Sequence, residues 1–155
     1  MLPYRKCVAI LLIKESKIFV GRRVDLDDAW QLPQGGVNEG ESYLEAAKRE
    51  LFEETNISTV EFLGSSNLQK YDFPPSVQKI IIKKRGKLKY SGQEIIFLAF
   101  KFLGEETEIN LQKEFKEFDD WKWVTMEELL NNIVYFKKIP YKKAIAELLK
   151  QGVLD

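Results

Sequence analysis

Apolar residues follow two rhythms along the first sixty positions. Cys7-Val-Ala-Ile-Leu-Leu-Ile13 is an unbroken apolar run, the polar Lys14-Glu-Ser-Lys17 interrupts it, and Ile18-Phe-Val20 follows. Continuous β-rich runs on either side of a polar turn predict paired strands over Val8 to Ile13 and Ile18 to Val20, joined as a hairpin. After Ser42 the rhythm changes. Leu44, Ala47, Leu51 and Ile57 mark one side of a helix, with Ser42 as its N-cap and Glu45 three residues later completing a capping box. Further strands are predicted over Val60 to Leu63, Glu94 to Phe102 and Trp121 to Val124, and helices over Met126 to Asn132 and Tyr141 to Lys150. Strands mixed with helices at these spacings predict an α/β sandwich.

With 155 residues, the chain is near the usual size of one domain, so residues 1–155 are expected to share one core. The longest apolar run, Cys7 to Ile13, is far short of the roughly 20 residues a membrane helix needs, and no cleavable signal precedes it. The expectation is a soluble, cytoplasmic protein with no membrane partner and no obligate protein partner, monomeric or weakly associating. The single cysteine, Cys7, lies inside the apolar run and reads as a small buried hydrophobe.

Charge changes the picture only locally. The 24 basic and 24 acidic residues cancel, so net charge announces no nucleic-acid partner. Lys79 to Lys89, however, holds six basic residues and no acid, and Glu105 to Asp120 is strongly acidic. The basic run could steer phosphates, but it reads more simply as a solvated loop. The absence of histidine excludes imidazole acid/base chemistry, His-based triads and His zinc sites. Catalysis is left to carboxylates, lysine, tyrosine, one thiol, or a metal held by oxygen.

Glu50, Glu53 and Glu54 stand at i, i+3 and i+4, which on a helix places them on one face with Cβ atoms about 5 to 6 Å apart. Like charges that close repel and raise carboxyl pKa values unless a cation lies between them. Carboxylate oxygens suit Mg²⁺ or Mn²⁺. Bound ions of this kind would offset the mutual repulsion of the carboxylates and acidify a coordinated water. Arg49, beside Glu50 and one turn after Glu45, can hold a carboxylate in its working rotamer. Upstream, Trp30-Gln-Leu-Pro-Gln-Gly-Gly36 places Gly35 and Gly36 where backbone can approach a ligand and a carbonyl can face a metal, although glycines of this kind also build ordinary loops. The three glutamates taken alone would equally fit a solvated helix face partnered by Lys48 and Arg49. The ordered combination favours the metal site.

That combination, Gly35-x5-Glu41-x7-Arg49-Glu50-Leu51-x-Glu53-Glu54-x-Asn56-Ile57, resembles the Nudix box and departs from it only at Asn56, where the family usually has Gly. Asn tolerates the left-handed backbone of a helix C-terminus, so the departure is mild. Tyr4-Arg5, Gly21-Arg22-Arg23, Trp30 to Gly36, Tyr71-Asp-Phe-Pro74, Glu117-Phe-Asp119 with Trp121-Lys-Trp123, and Phe136-Lys-Lys138 occur in the order of the branch that contains RNA 5′-pyrophosphohydrolases and dinucleoside polyphosphate hydrolases. The resemblance implies the Nudix fold, an α/β/α sandwich with a mixed sheet flanked by helices. It implies metal binding by Glu50, Glu53 and Glu54 with Gly35 nearby, and an additional carboxylate from Glu117. The general base falls to Glu53 or Glu50 ahead of Glu117. Arg23 and Phe136 match positions that sandwich a substrate base, Arg5, Gln34 and Lys137 match positions near its phosphates, and Tyr71 belongs to the shared Tyr71 to Pro74 element. Phe136 would otherwise serve as core and Arg23 as a surface ion pair. Gly92-Gln-Glu-Ile-Ile-Phe97 lacks the Lys-Trp pair that relatives carry on this strand, which alters a wall of the substrate pocket.

The activity implied is metal-dependent removal of pyrophosphate from 5′-triphosphorylated RNA, leaving a 5′-monophosphate. Hydrolysis of a dinucleoside polyphosphate such as diadenosine tetraphosphate is the rival, because the same metal site serves both. A nucleotide-binding sensor without turnover is a third reading, opposed by the intact glutamate set. A structural RNA-binding module is a fourth, and it requires affinity independent of metal and triphosphate.

Overall fold

The hairpin forms where the polar turn predicts it. In a computed structural model, which describes residues 1–25 and 29–154, strand β1 (Tyr4–Lys14) pairs antiparallel with β2 (Lys17–Arg23), Ile13 opposite Ile18. Glu15 and Ser16 carry the turn at φ of 49° and 66°, the positive values a two-residue hairpin of matching twist requires.

Along the rest of its length β1 lies parallel to β7 (Gly92–Phe102), in register from Tyr4 opposite Gly92 to Ile13 opposite Lys101. Both strands carry an unbroken apolar run at their centre, Cys7 to Ile13 and Ile95 to Phe100, because both faces of this central pair are covered. Their outer edges are each shared by two short partners. β1 pairs with β4 (Gln34–Gly36) at Cys7 to Ala9 before reaching β2, while β7 pairs with β6 (Gln69–Asp72) and then β5 (Val60–Ser65). β3 (Trp30–Gln31) and β8 (Phe118–Val124) extend the sheet from β2.

Alternation along β1 divides the core in two. Val8, Ile10 and Leu12 pack under α1 (Tyr43–Thr55) with Ala46, Ala47, Leu51 and Phe100. Cys7, Ala9 and Leu11 pack on the opposite side with Phe97, and with Leu129, Tyr141 and Ile145 of α3 (Met126–Asn132) and α4 (Lys138–Lys150). The result is a mixed sheet between helical layers, an α/β/α sandwich. No helix among the described residues is long and apolar enough to cross a membrane.

One expectation is corrected. The basic run at Lys79 to Lys89 is not simply a loop, because Pro75–Arg85 forms helix α2 and only the remainder is irregular. Pro75 occupies the first turn, where a missing N–H does no harm. Lys83, Lys84 and Arg85 sit at the negative end of the helix dipole, and Gly86 closes the helix at φ 83°. Basic side chains at that end favour helix, an effect that composition alone conceals. The short strands β3, β4 and β6 carried too few apolar residues to be read from pattern.

Candidate active site

Helix α1 begins and ends as its residues dictate. Ser42 accepts from the Glu45 amide while the Glu45 carboxylate accepts from the Ser42 amide. Asn56 takes the left-handed conformation at φ 68° and donates its N–H to the Phe52 carbonyl. Between these caps, Glu50, Glu53 and Glu54 share a side but differ in environment. Glu54 is 7% exposed, Glu50 is half-buried and Glu53 is open to solvent.

Arg49 organises this side. Nε and Nη2 donate to the two carboxylate oxygens of Glu41 at 2.8 and 2.9 Å. Nη1 donates to Glu50 at 2.8 Å and to Glu53 at 3.2 Å, and Nη2 also donates to the Gly36 carbonyl at 2.8 Å. All five guanidinium N–H groups are used. Of the two carboxylates that sequence places near Arg49, Glu50 accepts from it and Glu45 is committed to the helix cap. Glu41, part of the signature but given no site role from sequence, is its bidentate partner. The paired guanidinium pulls the Glu41 carboxyl down to about 2.

The buried end of the site is short of positive charge. Burial pushes the Glu54 carboxyl well above its usual range, and the negative charges of Glu50, Glu117 and Glu53 push the same way, against one hydrogen bond from the Gln34 backbone. Glu54 Oε2 and Gln34 Oε1 are buried without a hydrogen-bond partner. Burial likewise raises Glu50, against Arg49. Glu117 stands just ahead of β8, its carbonyl accepting from the Val24 N–H at 3.1 Å. No three acidic or cysteine side chains among the described residues are gathered into a ready metal cage, and Arg49 engages one oxygen each of Glu50 and Glu53. The donor set nevertheless fits a hard divalent cation: carboxylates that repel one another, and two adjoining residues each leaving a buried acceptor oxygen unpaired, call for positive charge.

The other residues proposed for the site fall around this cluster. A Cβ on Gly35 would lie 2.0 Å from Glu50 Cδ, and one on Gly36 would lie 2.8 Å from Arg5 Nη2, so the two glycines let Glu50 and Arg5 close on the β4 backbone. Arg5, Gly36 and Glu50 line one open recess of about 530 Å³ with Tyr4, Asn38 and Tyr90. Tyr71 is buried, its hydroxyl donates to Gln93 Oε1, and its ring lies 5.7 Å from that of Phe136. Lys137 Nζ lies 5.9 Å from the Tyr71 ring and 6.0 Å from the Phe136 ring, and burial, reinforced by Arg23, pushes its ammonium down to about 8. Arg23 itself is held by Asp25 through two hydrogen bonds of 2.8 and 2.5 Å. Burial raises the Cys7 thiol, against the positive charges of Arg5 and Lys137.

Sequence reasoning did not foresee the role of the Asn56 side chain. Its Nδ2 donates to the Glu108 carbonyl at 3.1 Å and its Oδ1 accepts from Lys113 Nζ at 3.2 Å. These bonds tie the connection that carries Glu117 onto the end of α1. The replacement of the usual Gly was the available signal.

A family model described as NUDIX domain matches residues 3–148. The chain is 42% identical to the RNA pyrophosphohydrolase of Bartonella clarridgeiae, covering 94% of this chain and 90% of the relative, and 42% identical to that of Pelagibacter ubique, covering 91% and 89%. Among solved structures it resembles a C. elegans Ap4A hydrolase binary complex, with TM-score 0.64, 18% identity and 95% and 98% of the two chains covered. It also resembles the E. coli dihydroneopterin triphosphate pyrophosphohydrolase, with TM-score 0.65, 16% identity and 93% and 99% covered. These structural likenesses speak for the fold, whereas the family match and the sequence identities reach further: the chain belongs to the Nudix family of hydrolases.

Proposed function

We propose that this protein is a cytoplasmic RNA pyrophosphohydrolase, dependent on Mg²⁺ or Mn²⁺, that converts a 5′-triphosphate RNA end into a 5′-monophosphate. The observation that carries the reading is that a cation and a carboxylate of α1, Arg5 and Glu50, line one open recess beside the Gly36 backbone. A polyphosphate needs both.

Glu50, Glu53 and Glu54 would hold the divalent ions, with Glu117 and the Gly35 backbone completing the donor set. When bound, such ions acidify water and neutralise charge on the phosphates. Glu53, the most exposed of the three, would take the proton from the attacking water, and Glu50 is the next candidate. Arg49 touches no substrate in this scheme. It keeps Glu50 and Glu53 oriented by donating to one oxygen of each. Arg5, Gln34 and Lys137 would contact phosphates, and Lys137 gains its positive charge as pH falls through about 8. Tyr71 backs Phe136, whose other face, with Arg23, would take a base. Stacking of this kind gives roughly 1 to 3 kcal/mol with little sequence preference, as an enzyme acting on many transcripts requires.

The test offers triphosphate-ended RNA and diadenosine tetraphosphate side by side to wild type and to Glu53→Gln, with Mg²⁺, Mn²⁺ or chelator. RNA should be the better substrate, pyrophosphate or phosphate should be released only with metal, and Glu53→Gln should fold but lose nearly all turnover. Preference for the dinucleotide would move the substrate to the rival class. Full activity of Glu53→Gln would remove the proposed site.

A further inference from the structure

Nothing in the proposed reaction uses α2, which buries none of its residues. Its body-facing side offers only half-buried Val77, Gln78 and Ile81, and Ile80 and Ile82 remain exposed. An isolated helix of this length is marginal in water, so apolar packing gives a weak account of it. Its charge is one-sided: six cations and no acid lie between Lys79 and Lys89. Lys79 and Lys83, four residues apart, share an outer ridge and repel each other. Among the described residues, Lys84 alone of the six has a carboxylate partner, Asp25 at 3.5 Å, and Asp25 is the residue that grips Arg23. The unneutralised end of α2 therefore borders the proposed base-binding side of the site.

We propose that α2, with Lys87 and Lys89, is the track for the RNA strand leaving the active site. Backbone phosphates beyond the nucleotide held at Arg23 run past Lys84 and along Lys79, Lys83, Arg85 and Lys87, which relieves the mutual repulsion of these side chains. This inference rests on the RNA reading above and deepens it. Such contacts are electrostatic, independent of sequence and sensitive to salt. They are also sensitive to length, because a triphosphorylated dinucleotide has a single internucleotide phosphate to offer the cations of α2.

The experiment compares the wild-type chain with a variant carrying Lys79→Gln, Lys83→Gln, Arg85→Gln and Lys87→Gln, whose folding is checked by circular dichroism. Affinity for a labelled single-stranded RNA of about 12 nucleotides is followed by anisotropy between about 50 and 200 mM salt. The variant should bind at least about tenfold more weakly, and its salt slope should be shallower by roughly 0.7 for every phosphate that is no longer neutralised. Its cleavage of the triphosphorylated dinucleotide should equal wild type. Unchanged affinity and slope would overturn the inference, and so would loss of dinucleotide cleavage in step with long RNA, which would make α2 a support of the fold. If wild type cleaves neither RNA, the substrate assignment fails separately, and the binding comparison still decides the role of α2.

Discussion

Glu50 turns its carboxylate directly onto Gly35: a Cβ built on that glycine would lie 2.0 Å from Glu50 Cδ and 2.3 Å from both oxygens. One hydrogen atom's worth of space on β4 sets where a proposed metal ligand of α1 stands. Gly35→Ala must push Glu50 aside or bend β4. Displacements of about 1 Å at a reacting centre cost on the order of a hundredfold in rate. We expect kcat to fall by about that factor while thermal unfolding shows a folded protein. Wild-type turnover in this variant would mean that the Glu50 position is immaterial.

Arg49 and Glu41 predict an acid limb of stability. The Glu41 carboxyl is held down to about 2 by Arg49, so the contribution of the pair is complete above the usual carboxylate range near 4.5 and is lost as pH falls from there toward about 2. Glu41→Gln should flatten the melting-temperature profile in that window. Arg49→Lys cannot serve the planar array of acceptors and should lower both stability and kcat, leaving KM closer to wild type. A pH profile identical in Glu41→Gln and wild type would refute the assignment.

Glu54 predicts the opposite dependence when metal is removed. Its carboxyl is raised by burial, so the folded protein favours the protonated form, and in chelator stability should decline as pH rises above about 4.5. Divalent metal should reverse this, since ligation replaces the proton. At metal concentrations about a hundredfold above the dissociation constant, wild type should gain about 2.7 kcal/mol. Glu54→Gln should melt higher than wild type in chelator at neutral pH and should gain little from Mg²⁺ or Mn²⁺. Differential scanning calorimetry reads both effects.

Asn56 separates the helix cap from its tether. Asn56→Gly retains the left-handed backbone but gives up the bonds to Glu108 and Lys113, so melting should shift little while kcat falls several-fold as Glu117 loses its support. Asn56→Ala adds backbone strain at φ 68° of roughly 1 to 2 kcal/mol and should destabilise as well. Hydrogen exchange in residues 105–117 should quicken in both variants. Unaltered exchange there would break the link.

The chain's own order of residues determined the elements that rest on local physics. Val8 to Ile13 and Ile18 to Val20 form their hairpin, Ser42 and Glu45 cap α1, Met126 to Asn132 is α3, and the i, i+3, i+4 spacing of Glu50, Glu53 and Glu54 places them on one helix side, because period, caps and turns act over a few residues. The tertiary structure alone decided which partners lie far apart in sequence. It gave Arg49 a bidentate partner in Glu41, brought the Gly35 backbone against Glu50, laced Asn56 to the Glu108 segment, and buried Glu54 beside Gln34 with unpaired oxygens. Burial and long-range pairing depend on the distance between elements packed on one sheet, and no local spacing records that distance.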